Sequence, residues 1–229
     1  MITTIAFDGD DTLWHSEGEF AITQELFAQL LAPWTGSITA AELDRRLSDT
    51  ERANLELFGY GVKGFTLSMI ETAIEVTGGQ VSVAVLQQLI ERGKEMIAHP
   101  VELLDGVTDV LDALAGHYRM LVITKGDLIH QETKVARSGL AERFEAIEIV
   151  TEKDEDTYRR ITRRHGIHPG ELLMVGNSVR SDILPVLAIG GQAVHVPYHV
   201  TWVHEEASHD GSVPTLASLR ELPAWLSGR

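Results

Sequence analysis

Five short, nearly continuous apolar runs restrict the fold of this chain more than any other feature: TTIAF (3–7), RMLVIT (119–124), AIEIV (146–150), ELLMVG (171–176) and QAVHV (192–196). They are rich in Val and Ile and lack the in–out alternation of a strand with one wet face, so they read as strands buried on both faces. Helical stretches over 127–139, 154–166 and about 181–189 separate the last four. Strands alternating with helices build right-handed βαβ units. The expectation is an α/β fold with a doubly wound parallel sheet.

The rhythm stops between the first strand and a helix near 106–115. Residues 16–99 carry no strand pattern and read as successive amphipathic helices. SEGE (16–19) and TAAE (39–42) fit the Ser/Thr-x-x-Glu box that opens a helix. The second helix should end near FGYGVKG (58–64), where glycines permit a tight loop. A third should span about 66–77 and stop at Gly78-Gly79, and a fourth about 83–98, before Pro100. The expected organisation is a core of 1–15 and 100–229 interrupted by a helical cap of 16–99. Trp14 and His15 lie where the chain leaves the core. The stretch after about 205 is polar, punctuated by Gly and Pro, and predicts no element.

Composition narrows the partners. Lys plus Arg is 19 and Asp plus Glu is 34, a formal net charge of −15, which repels nucleic-acid backbones and anionic membranes and favours a small-molecule ligand. The chain has no cysteine, excluding disulfides, thiolate chemistry and zinc–sulfur sites. No targeting pattern opens the sequence and no apolar run suits a membrane span, so the expected location is the cytoplasm. Oligomeric state has no signature here.

The polar residues beside the strands carry the chemistry. Asp8 and Asp10 follow the first strand, Thr124 and Lys125 end the second, Lys153 follows the third, and Asn177, Ser178 and Asp182 follow the fourth. In a doubly wound sheet all of these lie at the carboxyl edge, where ligands bind. Carboxylate and amide oxygens without Cys or His make a hard site that favours Mg²⁺. A cation would relieve repulsion among Asp8, Asp10 and Asp11 and hold a phosphate oxygen. An acid two residues from a nucleophilic Asp can protonate a leaving group and later activate water. Thr124 and Lys153 would bind the transferring oxygens.

These residues resemble the four motifs of the haloacid dehalogenase (HAD) superfamily, on its phosphatase side. Asp8, Asp10 and Thr12 match the first (Asp-x-Asp-x-Thr after a strand), Thr124 in LVITKG the second, and Lys153 in TEKDEDTY the third. VGNSVRSDI approximates the fourth, with Asn177 where the family has Asp and with Asp182 following. The resemblance covers residues 1–15 and 100–200, and the helical insert sits where this family carries a four-helix cap. It implies a Rossmann-like core and a Mg²⁺-dependent phosphatase acting on a small phosphorylated metabolite. Asp8 is then the nucleophile that forms an aspartyl-phosphate, and Asp10 the general acid/base. Asp8, the Asp10 backbone carbonyl, Asn177 and Asp182 are the implied metal ligands. Candidate substrate contacts are Thr12, Lys125, Gly126, Ser178 and, in the cap loop, Lys63. Asp11 reads as a turn or supporting acid, not a catalyst.

Other readings compete. A phosphomutase uses the same core but passes the phosphoryl group to a sugar. A 2-haloacid dehalogenase uses the Asp nucleophile without metal or second acid, so Asp10 argues against it. A non-catalytic phosphate- or metal-binding regulator has Asn177 as its one hint. Asp8, Asp10, Thr12 and Glu19 also fit positions 1, 3, 5 and 12 of a calcium loop, but Leu13 replaces the required Gly. His195, His199, His204 and His209 invite a metal reading that Pro197 weakens by preventing a helical His-x-x-x-His face.

Overall fold

The computed structural model describes residues 1–36, 38–200, 202, 205, 207, 211 and 213–228. The chain divides into two compact units, Met1–Glu17 with Val101–Arg229, and Gly18–Pro100. His204 and His209 lie outside the described residues.

The first unit is built on a sheet of β1 (Thr4–Phe7), β2 (Arg119–Lys125), β3 (Ala146–Val150), β4 (Leu172–Gly176) and β5 (Gln192–His195). Its order is β3-β2-β1-β4-β5, and every pairing is parallel. The five apolar runs are therefore the five strands, and the fold is the expected α/β class. β1 lies at the centre, with Phe7 in register with Val122 on one side and Val175 on the other. The period-two geometry of a strand sends alternate side chains to opposite faces. Ile5 and Phe7 pack with Val110 and Leu111 of α5 (Val107–Leu114), Val135 of α6 (Leu128–Ser138) and Leu222 and Leu226 of α9 (Leu222–Ser227). Ala6 packs on the other face with Tyr158 and Ile161 of α7 (Glu155–Arg164) and Val186 of α8 (Leu184–Ala188). Helices on both faces leave the strand ends as the open edge of this unit.

Two details differ from the sequence reading. The helix expected at about 181–189 starts earlier, as a π-helical turn over Val179–Ile183 that runs into α8. Such turns widen the backbone and are frequent at functional sites. The stretch after 205 is not featureless either. Leu216, Leu219, Leu222 and Leu226 all enter the main core, a contribution hidden by their wide spacing among polar residues.

The second unit contains α1 (Glu17–Thr35, whose first residue belongs to the core unit), α2 (Ala40–Phe58), α3 (Val62–Val76) and α4 (Val83–Ala98). Apolar residues at four-residue spacing form its core: Phe27 and Leu31, Leu43 and Leu47, Phe65, Met69 and Ala73, Val85 and Leu89. Thr39 caps α2 by accepting from the Glu42 N–H, and Ser82 caps α4 through the Val85 N–H. Ser16 Oγ, in the core unit, accepts from Lys134 at 3.1 Å, and Glu19, in the helical unit, accepts from Arg92 at 2.7 Å. The glycine loop is shorter than expected, because Gly59 and Gly61, at φ 70° and 109°, complete the reversal by residue 61. Lys63 consequently stands in the first turn of α3, not in a loop. Among the described residues no helix is long and apolar enough to cross a membrane.

Candidate active site

The chain leaves β1 through a turn built around Gly9. The Asp8 N–H donates to the Val175 carbonyl at 2.9 Å, continuing the ladder one residue past the strand. The Gly9 carbonyl then accepts from Thr12, Leu13 and Trp14 at 3.3, 2.8 and 3.3 Å. A Cβ at Gly9 would lie 2.7 Å from the Trp14 ring and 3.1 Å from Thr124 Oγ1. The missing side chain is what lets the turn close against the end of β2.

Three acids in four positions need three different answers to their repulsion, and each has one. Asp8 is answered by Lys153, whose ammonium donates to Asp8 Oδ1 and, at 2.7 Å, to Asp182 Oδ1. The other Asp182 oxygen accepts the Ser178 N–H at 3.0 Å. Asp182 reaches this position under Gly176, where a Cβ would sit 2.2 Å from its carboxylate. Asp10 accepts from Trp14 Nε1 at 2.6 Å, Gln131 Nε2 at 2.8 Å and Lys134 Nζ at 2.8 Å. Asp11 adopts φ 60°, a left-handed conformation that Asp tolerates. Its carboxylate accepts the N–H groups of Ser16 at 2.8 Å and Glu17 at 3.1 Å, capping the chain as it enters α1.

The electrostatics follow. Burial and the Asp182 charge push the Asp8 carboxyl up to about 8 against the opposing pull of Lys153. Burial works to discharge Lys153, but the two carboxylates outweigh it and its pKa lies above the usual lysine value. Asp10 moves the other way. Burial would raise it, yet the Lys134 charge and the three donated hydrogen bonds hold it below the ordinary aspartate value. Asp11, buried and beside Asp10, rises to about 7.

The fourth motif meets the first through Asn177. Its terminal amide lies 3.1 Å from Asp8 Oδ2 and 3.3 Å from the Asp10 carbonyl oxygen. Both are acceptors, so the amide nitrogen faces them and donates. Thr12 Oγ1 is 3.4 Å from the same amide. A side-chain carboxylate, a backbone carbonyl and an amide thus converge, an all-oxygen donor set that fits a hard divalent cation once the amide presents its oxygen. Asp182 is not part of this convergence, since both of its oxygens are engaged by Lys153 and Ser178. Among the described residues no three His, Cys, Asp or Glu side chains form a metal cluster. His195 Nε2 contacts the Asn177 backbone carbonyl at 3.0 Å.

The remaining candidates fall into separate places. Thr124 is fully buried, and its hydroxyl has no hydrogen-bond partner among the described residues. A buried orphan hydroxyl costs free energy unless a ligand meets it. Lys125 and Ser178 both reach the carboxylate of Glu205, which Ser181 Oγ also contacts at 2.5 Å. The Gly126 N–H donates to the Val150 carbonyl at 3.2 Å, and Lys63 belongs to the helical unit. The sequence reading missed Gln131, Lys134 and Glu205. Gln131 and Lys134 stand inside a helix, where a polar residue normally reads as solvated, and only their three-residue spacing behind Thr124 signalled a shared face.

Comparison with known proteins gives the family and the fold. A family model described as haloacid dehalogenase-like hydrolase matches residues 2–190. The chain is similar to a haloacid dehalogenase-like family hydrolase from Xanthomonas campestris, with 39% identity and a TM-score of 0.88 over 99% of this chain and 91% of that one. A 2-haloacid dehalogenase from Pseudomonas syringae pv. Tomato DC3000 shares the fold, at 20% identity and a TM-score of 0.65 over 100% and 99% of the two chains. The N-acylneuraminate-9-phosphatase of Mus musculus is 29% identical over 138 residues, 54% of this chain and 52% of the relative. The match therefore spans about half the length of that relative.

Proposed function

Since the chain belongs to the haloacid dehalogenase-like hydrolase family, we propose that it is a Mg²⁺-dependent phosphatase that hydrolyses a small phosphorylated metabolite through an aspartyl-phosphate on Asp8. The observation that carries this reading is the second acid. A dehalogenase expels a halide, which needs no proton, whereas a phosphate monoester expels an alkoxide, which does. Asp10 lies two residues beyond Asp8 at the end of the central strand, a second acid for which halide displacement has no use.

In the proposed reaction the Asp8 carboxylate attacks phosphorus while Asp10 gives a proton to the leaving oxygen. Water then attacks the acyl phosphate as Asp10 takes the proton back. The orphan Thr124 hydroxyl and the Lys153 ammonium bind the phosphoryl oxygens, the positions where charge develops. Asp182 keeps Lys153 charged and in place. Asp8, the Asp10 carbonyl and the Asn177 amide oxygen would hold Mg²⁺, which when bound supplies positive charge between the attacking carboxylate and the phosphoryl group.

The test is phosphate release from p-nitrophenyl phosphate with Mg²⁺. Turnover should disappear with Asp8→Asn and with EDTA. Full activity in either case refutes the assignment, and halide release from a 2-haloacid would replace it with the dehalogenase reading.

A further inference from the structure

Glu205 comes from the connection after β5, yet its carboxylate lies across the ends of β2 and β4. Oε1 accepts from Lys125 Nζ, and Oε2 accepts from Ser178 Oγ and, at 2.5 Å, from Ser181 Oγ. Each donor is the sequence neighbour of a site residue. Lys125 follows Thr124, Ser178 follows Asn177, and Ser181 precedes Asp182. β2 and β4 flank β1, so this carboxylate bridges the strand ends on either side of Asp8. The donors also hold one another. Lys125 Nζ reaches Ser181 Oγ at 3.0 Å, and Ser178 Oγ accepts the Ser181 N–H at 3.0 Å. The Ser181 carbonyl accepts from the buried Tyr158 hydroxyl at 3.0 Å, which ties the π-helical turn to α7. The Lys125 and Glu205 side chains are only 11% and 14% exposed. Water screens such a pair far less than a surface pair, and charge-assisted bonds there restrict the groups they join.

We propose that Glu205 is a positioning residue that clamps the loop after β4 against the end of β2, and so fixes the Asn177 amide beside Asp8 Oδ2 and the Asp10 carbonyl, the groups that would hold Mg²⁺. This rests on the Mg²⁺ part of the proposed function. Glu205 is not itself a ligand and acts through Ser178, Ser181 and Lys125. A charge near a cation site also acts through space, and the two modes differ in sign at Lys125. Through space, losing Glu205 weakens Mg²⁺ binding and losing Lys125 tightens it. A clamp makes both changes weaken it, because either one opens the same bridge.

The experiment follows Tm of the full chain against Mg²⁺ concentration, without substrate, each variant being referred to its own Tm in EDTA. The concentration dependence gives the Kd for Mg²⁺. Glu205→Gln and Lys125→Met should each raise Kd about tenfold, the lower end of the roughly 10–100-fold that partners behind metal ligands contribute. Either variant binding Mg²⁺ as tightly as wild type, or more tightly, overturns the proposal, whatever its Tm in EDTA. A bridge that served stability alone would lower the Tm in EDTA and leave Kd unchanged. Should Glu205→Gln fail to fold, Ser181→Ala takes its place, removing one hydroxyl and no charge. A rise in Kd of at least about threefold, a fraction of that range, is then expected, and an unchanged Kd refutes the clamp. A wild-type Tm that Mg²⁺ does not move overturns the metal reading, and this proposal with it. A wild-type response shared unchanged by the variants overturns this proposal alone.

Discussion

Replacing Lys153 by Met probes the electrostatic centre of the site. The ammonium side chain is 2% exposed and serves Asp8 and Asp182, whose side chains are 11% and 0% exposed. Met keeps most of the apolar stem but removes the charge, leaving two buried carboxylates facing each other. Breaking one buried ion pair by removing a partner costs about 3–5 kcal/mol, and here one cation answers two acids, so the upper end of that range applies. Neutralising Asp182 as well should return part of the loss. The double variant Lys153→Met/Asp182→Asn should be more stable than the sum of the two single changes predicts, with a coupling of about 2 kcal/mol or more, toward the upper end for directly contacting groups. Urea unfolding with EDTA, at a pH above the raised Asp8 value of about 8 so that both acids are charged, reads this directly when followed by tryptophan fluorescence. A Lys153→Met protein within about 1 kcal/mol of wild type, or a coupling near zero, would contradict the view that this lysine compensates both carboxylates.

The remaining predictions concern charge at two other places. In the helical unit Glu51 is buried with Oε2 unpartnered among the described residues, and burial raises its carboxyl from 4.5 to about 7. A raised folded-state pKa means that its stabilising contribution is complete below about pH 4.5 and is lost as pH rises to about 7, a loss of about 3 kcal/mol. Glu51→Gln should remove that slope, so wild type should lose more stability than the variant between pH 5 and 8, and parallel urea curves would sink the idea. At the catalytic edge, Asn177→Asp places a second carboxylate 3.1 Å from Asp8 Oδ2. It should tighten Mg²⁺ binding about tenfold by adding ligand charge, read as a larger Mg²⁺-induced rise in Tm. An unchanged Mg²⁺ titration would show that the amide is an equivalent ligand.

How much of this was legible in the sequence depends on where each residue's partners lie along the chain. The strands were readable because burial on both faces leaves uninterrupted apolar runs. Thr124, Lys153 and Asn177 were readable because parallel strands deliver their ends to one edge. The partners of Asp10 were not, since 121 and 124 residues separate it from Gln131 and Lys134, and a helical lysine carries no mark of what it faces. Asp11 was also opaque. Its use depends on a left-handed backbone and on two N–H groups that become available only when α1 begins where it does. Asp182 read as a metal ligand from its motif, while the structure commits both oxygens, a distinction that spacing alone does not make. The apolar residues of the C-terminal stretch were too thinly spread to predict an element, yet they close one face of the sheet.

The central claim is that Asp8 becomes covalently phosphorylated. The direct measurement is acid quenching during turnover of p-nitrophenyl phosphate, followed by peptide mapping by mass spectrometry. The account predicts a phosphoryl group on the peptide containing Asp8, assigned to that carboxylate and absent from Asp8→Asn. Turnover with Asp8 unmodified under quenching, or a phosphoryl group on any other residue, would contradict it.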